Sequence, residues 1–317
     1  MKKIITNIRL WLPVAALVIS LVLHNGLPNK QLVMSNSNYT VLLLVLTVFF
    51  IAWTIVSYFR ESWREKLLYR SPFFSVCILL VLAYEVVTLK LFLLPLPYFP
   101  SPVKIFEAYI NDWQLLLQSL FYSVRLLLIG NVIGLVLGII TGILMGWYKC
   151  FDYWINPFFR LIGPVPPAAL VPVAIIIFPT SFAASIFLIV LSVWFPVTVM
   201  TWSAVVNLDK SYLDVARTLG GGNWYQLSQV VLPAAAPSIF FGVFMGFGYS
   251  FATLVIAEML GVKAGIGWYL NWVMKWSEYY KVYAAILLMA FLCAGLIWLL
   301  FKTRKRVLGW QKGMVKW

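Results

Sequence analysis

The sequence has 317 residues, of which 63% are apolar and only 11% charged, with a formal net charge of +14. A water-soluble domain carries about 25% charged residues, and no soluble fold of this size hides so much apolar surface, so the chain belongs in a bilayer. The basic residues stand in short stretches between apolar runs, which is the pattern of membrane topology and anionic-lipid contact rather than of nucleic-acid binding.

A hydrocarbon core about 30 Å thick takes about 20 apolar residues per helix. Eight runs answer that description: 10–24, 40–58, 72–94, 116–147, 165–180, 183–206, 234–258 and 283–301. The expected fold class is therefore all-α, a polytopic membrane helix bundle of about eight transmembrane helices. The first run has the length of a signal-peptide core, but it ends in His24-Asn25-Gly26 instead of a small-x-small cleavage site, and reads as a retained signal anchor. Between the second and third runs lies a basic stretch with Arg60, Arg64, Lys66 and Arg70, which reads as a loop. Alternating the runs from a cytoplasmic N-terminus places 17 of the 24 basic residues inside, with the C-terminus also cytoplasmic. The expected location is the bacterial inner membrane.

After the third run comes a proline-rich stretch, Leu94-Pro95-Leu96-Pro97-Tyr98-Phe99-Pro100-Ser101-Pro102, and then a short amphipathic segment at 103–113. Clustered prolines stop helices and stiffen connectors, which divides the chain into a three-helix extension at 1–98, a core at 99–301 and a basic tail at 302–317. The fourth run carries Gly130, Gly134, Gly138, Gly142 and Gly146 on one helix face, a flat stripe where another backbone can approach. That stripe reads either as tight packing within one subunit or as a sliding surface. Arg125 lies toward the outer end of the same helix. Pro164, Pro166, Pro167 and Pro172 break the entry to the fifth run.

The loop at 207–233 is predicted as two short helices around a glycine turn. Asp209 caps the first, Gly220 to Gly222 end it, Asn223 caps the second and Pro233 stops it. Leu213, Ala216 and Leu219–Gly220 share a face of the first helix that leaves room for a partner. The loop resembles the coupling motif of ABC importer permeases. An acidic residue is followed by two small ones, then a glycine, an aliphatic residue and Leu-Pro, here Asp214-Val215-Ala216, Gly220, Val230 and Leu232-Pro233, with Leu219 beside the glycine. Asp214 stands where the family usually has Glu, and Val215 where it usually has Ala.

The resemblance runs over about 99–300. The prolines at 160–172, Ile256-Ala257-Glu258-Met259 and Gly265-Ile266-Gly267 are similar to the nitrate, sulfonate and taurine importer permeases. It implies a type I importer permease core of five helices and a translocation path for a small solute. Implied partners are cytoplasmic ABC ATPase subunits, a second permease copy or homologue, and an extracytoplasmic solute-binding protein, with membrane lipid around them. The chain lacks a Gly-x-x-x-x-Gly-Lys-Ser/Thr loop, so ATP hydrolysis falls to a separate chain.

The candidate path or gate residues are Arg125, Tyr249, Ser250, Thr253 and Glu258, with Asn131, Ser185 and Ser192 as further polar residues within spans. Glu258 either lines an outer gate or pairs with Lys263. In the outer segment 259–282, Trp268, Trp272 and Trp276 recur at i, i+4, as an interfacial anchor or a landing surface for a binding protein. No metal site, cofactor or disulfide framework is expected from one histidine and the scattered Cys77, Cys150 and Cys293. Asp112, Asp152, Asp209 and Asp214 form no cluster, which argues against an integral-membrane enzyme. A channel leaves the 207–233 loop unexplained.

Overall fold

The structure, a computed structural model, describes residues 2–309 apart from Leu32, Met34, Ser35 and Pro164. It is all-helical among the described residues, and seven helices are long and apolar enough to cross a membrane. In chain order the first elements are α1 (Lys2–Gly26), α2 (Ser37–Phe59), α3 (Glu61–Glu85) with a π-helical turn Val86–Lys90, α4 (Pro102–Asn111), α5 (Trp113–Trp147) and α6 (Lys149–Ile162). They are followed by α7 (Val171–Ile177) after a 3₁₀ turn, α8 (Ser181–Val206), α9 (Lys210–Thr218), α10 (Asn223–Tyr225) with a π-helical turn Gln226–Val231, α11 (Leu232–Gly261), α12 (Ile266–Lys275) and α13 (Tyr279–Val307).

Two expectations change. The basic stretch 60–70 is not a loop: α2 ends at Phe59 and α3 begins at Glu61, leaving Arg60 alone as the joint. The run at 165–180 is not one continuous helix, and it makes an eighth span only when the bent pair Lys149–Ile162 and Pro167–Ile177 is counted as one. Pro166 and Pro167 allow only a 3₁₀ turn before the seven-residue α7, and Lys149–Ile162 and Pro167–Ile177 meet at 81°. The expected break at Pro164 and the tail beyond 309 lie outside the described residues.

The chain divides into two compact units. The first comprises Met1–Trp113 with Val273–Ala284, the second Gln114–Trp272 with Ala285–Trp317.

In the first unit α1, α2 and α3 pack around Val14, Leu17, Leu43, Phe50 and Leu89, with Phe50, Trp53 and Phe74 forming an aromatic cluster. The interior is also charged. His24 Nδ1 lies 2.6 Å from Glu85 Oε1, both side chains being buried, and the edge of the His24 ring meets Tyr39. Lys90, on the π-helical turn, donates to the carbonyls of His24 and Leu27 and to Asn29 Oδ1, at 2.5, 2.7 and 2.6 Å. Gln31 closes the set, donating to Phe99 O and accepting from Ser101 N. Buried charge is tolerated only when so many partners are supplied. In the same unit Lys281 bridges Asp112 and Glu278, each at 3.0 Å.

The second unit is built on the glycine stripe of α5. A Cβ placed on Gly134 would lie 2.8 Å from Val193 Cβ and 2.9 Å from Val190 O, and one on Gly138 would lie 2.7 Å from Val197 Cβ. The stripe is therefore in use within the subunit, with α8 lying directly against it. Another face of α8 takes the backbone of α11, where a Cβ on Gly242 would fall 3.0 Å from Pro196 O. Val193 and Val197, between the two glycine sets, are fully buried. Neutral hydroxyls complete the join: Thr141 with Thr198 at 2.8 Å, and Trp194 Nε1 to Thr141 Oγ1 at 3.0 Å.

Candidate functional site: a helical loop and a cavity

Asp209 caps α9 as expected, its side chain accepting from Ser211 N at 3.0 Å. That backbone donor holds the Asp209 carboxyl below the usual carboxylate range. Beyond α9 the chain turns at Gly220, whose φ of +80° favours glycine and whose Cβ position faces open space. Asn223 is not the cap of α10. Gly222 is, and Asn223 is the first helical residue. Nor does Pro233 stop the helix. It stands just after the π-helical turn Gln226–Val231, which carries α10 into α11 without a break. Residues Asn223–Leu260 thus form one 38-residue span.

The faces of α9 also differ from expectation. Ala216 is 4% exposed, and Leu213 packs with Val205, Leu227 and Val231, so that face serves the chain's own core. The apolar surface left outside is Tyr212, Val215, Leu219, Trp224 and Tyr225, with Leu219 at 79% and Trp224 at 78% exposure. Asp214 is exposed and meets Arg217 at 3.4 Å on the same helix. Of the other expected motif residues, Val230 and Leu232 are half-buried and Pro233 is exposed. The motif residues thus surround a single turn, some facing inward to hold it and others facing out.

The candidate path residues separate into four places. Tyr249 and Thr253 line a cavity of about 340 Å³, together with Pro166, Pro167, Ser192 and Phe195. Thr253 accepts from Ser192 at 2.8 Å, so one polar pair stands in a mainly apolar wall. Ser250 turns away from it and pairs with Asn131 at 3.2 Å. Arg125 is exposed, its guanidinium 5.4 Å from the Phe182 ring centroid. Ser185 is buried.

Glu258 is 1% exposed and lies in neither the cavity nor an ion pair with Lys263. Its two oxygens accept from Ser123 Oγ at 2.7 and 2.9 Å, and Oε2 also accepts from Gly267 N at 2.9 Å. Ser123 Oγ in turn accepts from Ile266 N at 2.8 Å. The carboxylate therefore ties α11 and α5 to the first turn of α12, where backbone donors point out and negative charge is favoured. Gly265 and Gly267 are needed because a Cβ on either would collide with Glu258. On α12 itself Trp268 and Trp272 stack nearly parallel with centroids 6.1 Å apart, while Trp276 falls just past the last helical residue.

Two residues of this arrangement carry no sequence signal. Ser123 meets its carboxylate across 135 positions. Gln226, buried, folds back to donate to Gly221 O at 2.8 Å and so closes the glycine turn. Among the described residues no group of His, Cys, Asp or Glu side chains is placed to hold a metal ion.

Comparison with known sequences gives a consistent picture. The family described as binding-protein-dependent transport system inner membrane component matches residues 134–308. A "Probable ABC transporter permease protein" of Brucella abortus (strain 2308) is 29% identical over 216 residues, 67% of this chain and 86% of that one. The nitrate import permease protein NrtB of Leptolyngbya laminosa is 32% identical over 133 residues, 42% of this chain and 48% of that protein. The bicarbonate transport system permease protein CmpB of Synechococcus elongatus is 31% identical over 148 residues, 46% and 51% of the two chains.

Proposed function

The chain belongs to the family of binding-protein-dependent transport inner membrane components and is a multi-pass permease subunit of an ABC transporter, and we propose that it serves an importer of a small solute of the nitrate, sulfonate or taurine kind. The observation that carries this is the exposed apolar turn formed by Val215, Leu219, Trp224 and Tyr225 around the open Gly220. Apolar side chains grouped on a polar loop are a docking surface, and the partner is the cytoplasmic ATPase. Asp214, Val215, Ala216, Leu219, Gly220, Val230, Leu232 and Pro233 form the coupling element in this reading. Ala216 is held inside and Leu219 is offered outward. Because α10 continues into α11, a push on the turn reaches Tyr249 and Thr253 along one helix without a hinge.

Both termini lie in the cytoplasm in this reading, with the bent pair Lys149–Ile162 and Pro167–Ile177 taken together as the eighth crossing, following the 17 of 24 basic residues that the topology places inside. The residues at 1–98 are an extension to a permease core at 99–301, with a basic tail at 302–317. A second permease copy or homologue completes the path. An extracytoplasmic binding protein delivers the solute, α12 lying on its side of the membrane. The cavity at Ser192, Tyr249 and Thr253 is this subunit's share of the path. Its hydroxyls offer neutral donors to a small anion or zwitterion without the cost of a buried charge. Glu258 is a structural tie and Arg125 an interfacial residue, so neither is a path group.

The test is co-purification of the tagged chain with its candidate ATPase in lipid nanodiscs, followed by ATP hydrolysis with and without loaded binding protein. A stable complex whose hydrolysis rises with loaded binding protein is the expected result. Hydrolysis that ignores every binding protein overturns import. Leu219→Asp should abolish the complex with the chain's thermal unfolding unchanged, as should Gly220→Trp apart from a small strain from its positive φ. Wild-type complex formation by both variants would refute the coupling assignment.

A further inference from the structure

The second unit has an apolar groove away from the cavity and the coupling loop. It runs between α5, α11 and α13, has a volume of about 360 Å³, and is walled by residues such as Leu135, Ile139, Ile239, Val243, Leu296 and Leu300. Thr303, at one end, is the sole hydroxyl in its lining, and that hydroxyl donates to Leu300 O at 2.7 Å and Leu299 O at 3.1 Å of its own helix. The wall therefore asks for no hydrogen bond, and water has nothing to hold it there. Whatever fills the groove must be apolar along its length.

The end marked by Thr303 is of opposite character. Lys302, Arg304, Lys305 and Arg306 occupy the same turn and a half of α13, and all four are exposed. Lys302 Nζ stands 4.8 Å from the centroid of the Trp298 ring, and Trp298 is itself 62% exposed. A tryptophan and a lysine so paired on an outward face mark the depth of lipid headgroups. An apolar trough ending in exposed cations is complementary to one kind of molecule, with hydrocarbon at one end and negative charge at the other. Basic clusters beside clefts between membrane helices hold anionic headgroups in this way.

We propose that this groove is a binding site for an anionic phospholipid, whose acyl chain lies along α5, α11 and α13 and whose headgroup phosphate meets Lys302, Arg304 and Arg306, Lys305 lying on the opposite face of α13. The site requires only that the groove and the basic turn share one end, so it stands whichever solute the transporter carries.

The experiment uses the full chain in nanodiscs with phosphatidylglycerol bearing a photoactivatable diazirine on its acyl chain, the cross-linked peptides being mapped by mass spectrometry. Labels should concentrate on 239–247 and 296–303. Unlabelled phosphatidylglycerol should displace the probe at about tenfold lower mole fraction than phosphatidylcholine. In the double variant Arg304→Gln, Arg306→Gln, which leaves the groove intact, the labels should stay in place and the preference for phosphatidylglycerol should fall severalfold. Labels spread evenly over every outward-facing helix would overturn the proposal, as would equal competition by the two lipids. Exclusion of the probe from the groove by a second copy of the chain, seen as protein–protein cross-links at 296–303, would overturn it too. A preference unchanged in the double variant would dismiss the headgroup assignment.

Discussion

The two units of this chain solve the same packing problem in opposite ways. In the first, α1 and α3 are joined by buried charge, His24 against Glu85 and Lys90 against three oxygens of residues 24–29. In the second, α5, α8 and α11 meet chiefly through glycines, backbone against valine, with a few neutral hydroxyl pairs and a single buried carboxylate, Glu258, near the end of α11. A charged hydrogen-bond set has one satisfactory geometry, and any slip strands an ion in a medium that cannot solvate it. A glycine face is flat and non-directional, so a shift along it loses dispersion contacts gradually. The first arrangement fixes helices in register. The second permits small relative movement, which suits the unit that contains the cavity and the exposed turn at Gly220.

The comparison breaks most readily in the first unit. Glu85→Leu leaves the buried His24 imidazole without its partner and removes the carboxylate nearest Lys90, at an expected cost of about 3–5 kcal/mol. Thermal unfolding in detergent should show the loss directly. If charge serves register, the paired replacement of His24 and Glu85 by Phe and Leu should recover most of the stability. A double variant no better than Glu85→Leu would mean the polar set contributes something that packing cannot replace.

In the second unit the matching change is Gly138→Leu. Its side chain would enter space held by Val197 and the Trp194 carbonyl, forcing α5 away from α8. Overpacking of this kind costs about 2 kcal/mol, less than the charge deletion because only neutral bonds, such as that of Thr141 with Thr198, join the helices that separate. Transport should suffer more than stability, since the contact displaced belongs to the unit with the proposed path. A variant that unfolds early yet transports at the wild-type rate would contradict the view that this face moves.

The two units are also unequally legible in the sequence. The glycine stripe and the Asp209 cap announce themselves by spacing alone, and a spacing of four residues puts all five glycines on one side of a helix. The motif at Asp214 to Pro233 is visible too, but its orientation is not. Nothing local shows that Leu213 packs against the cluster of Val205 and Val231 and that Ala216 is buried while Leu219 faces out. Arg60 to Arg70 reads as a loop because charge outweighs helical periodicity over so few turns. Pro233 reads as a stop because a π-helical turn ahead of it leaves no trace in composition. The polar contacts that distinguish the units, His24 with Glu85 and Ser123 with Glu258, join residues 61 and 135 positions apart, so only the folded chain brings them together.

The smallest effect belongs to the neutral pair at the cavity, and it sharpens the comparison furthest. Ser192 and Thr253 share one hydrogen bond at 2.8 Å, and Ser192 also donates to Leu188 O. Such bonds between membrane helices average about 0.6 kcal/mol, because each hydroxyl finds a backbone carbonyl when its partner is lost. Ser192→Ala and Thr253→Val should therefore leave unfolding nearly unchanged, and a double-mutant cycle should return a coupling of that size. Both residues line the cavity, so solute-stimulated ATP hydrolysis should fall severalfold in each single variant while basal hydrolysis is kept. A coupling several times larger would place this pair with the fixed charges of the first unit. Unaltered stimulation would remove the cavity from the path and leave the hydroxyls as packing alone.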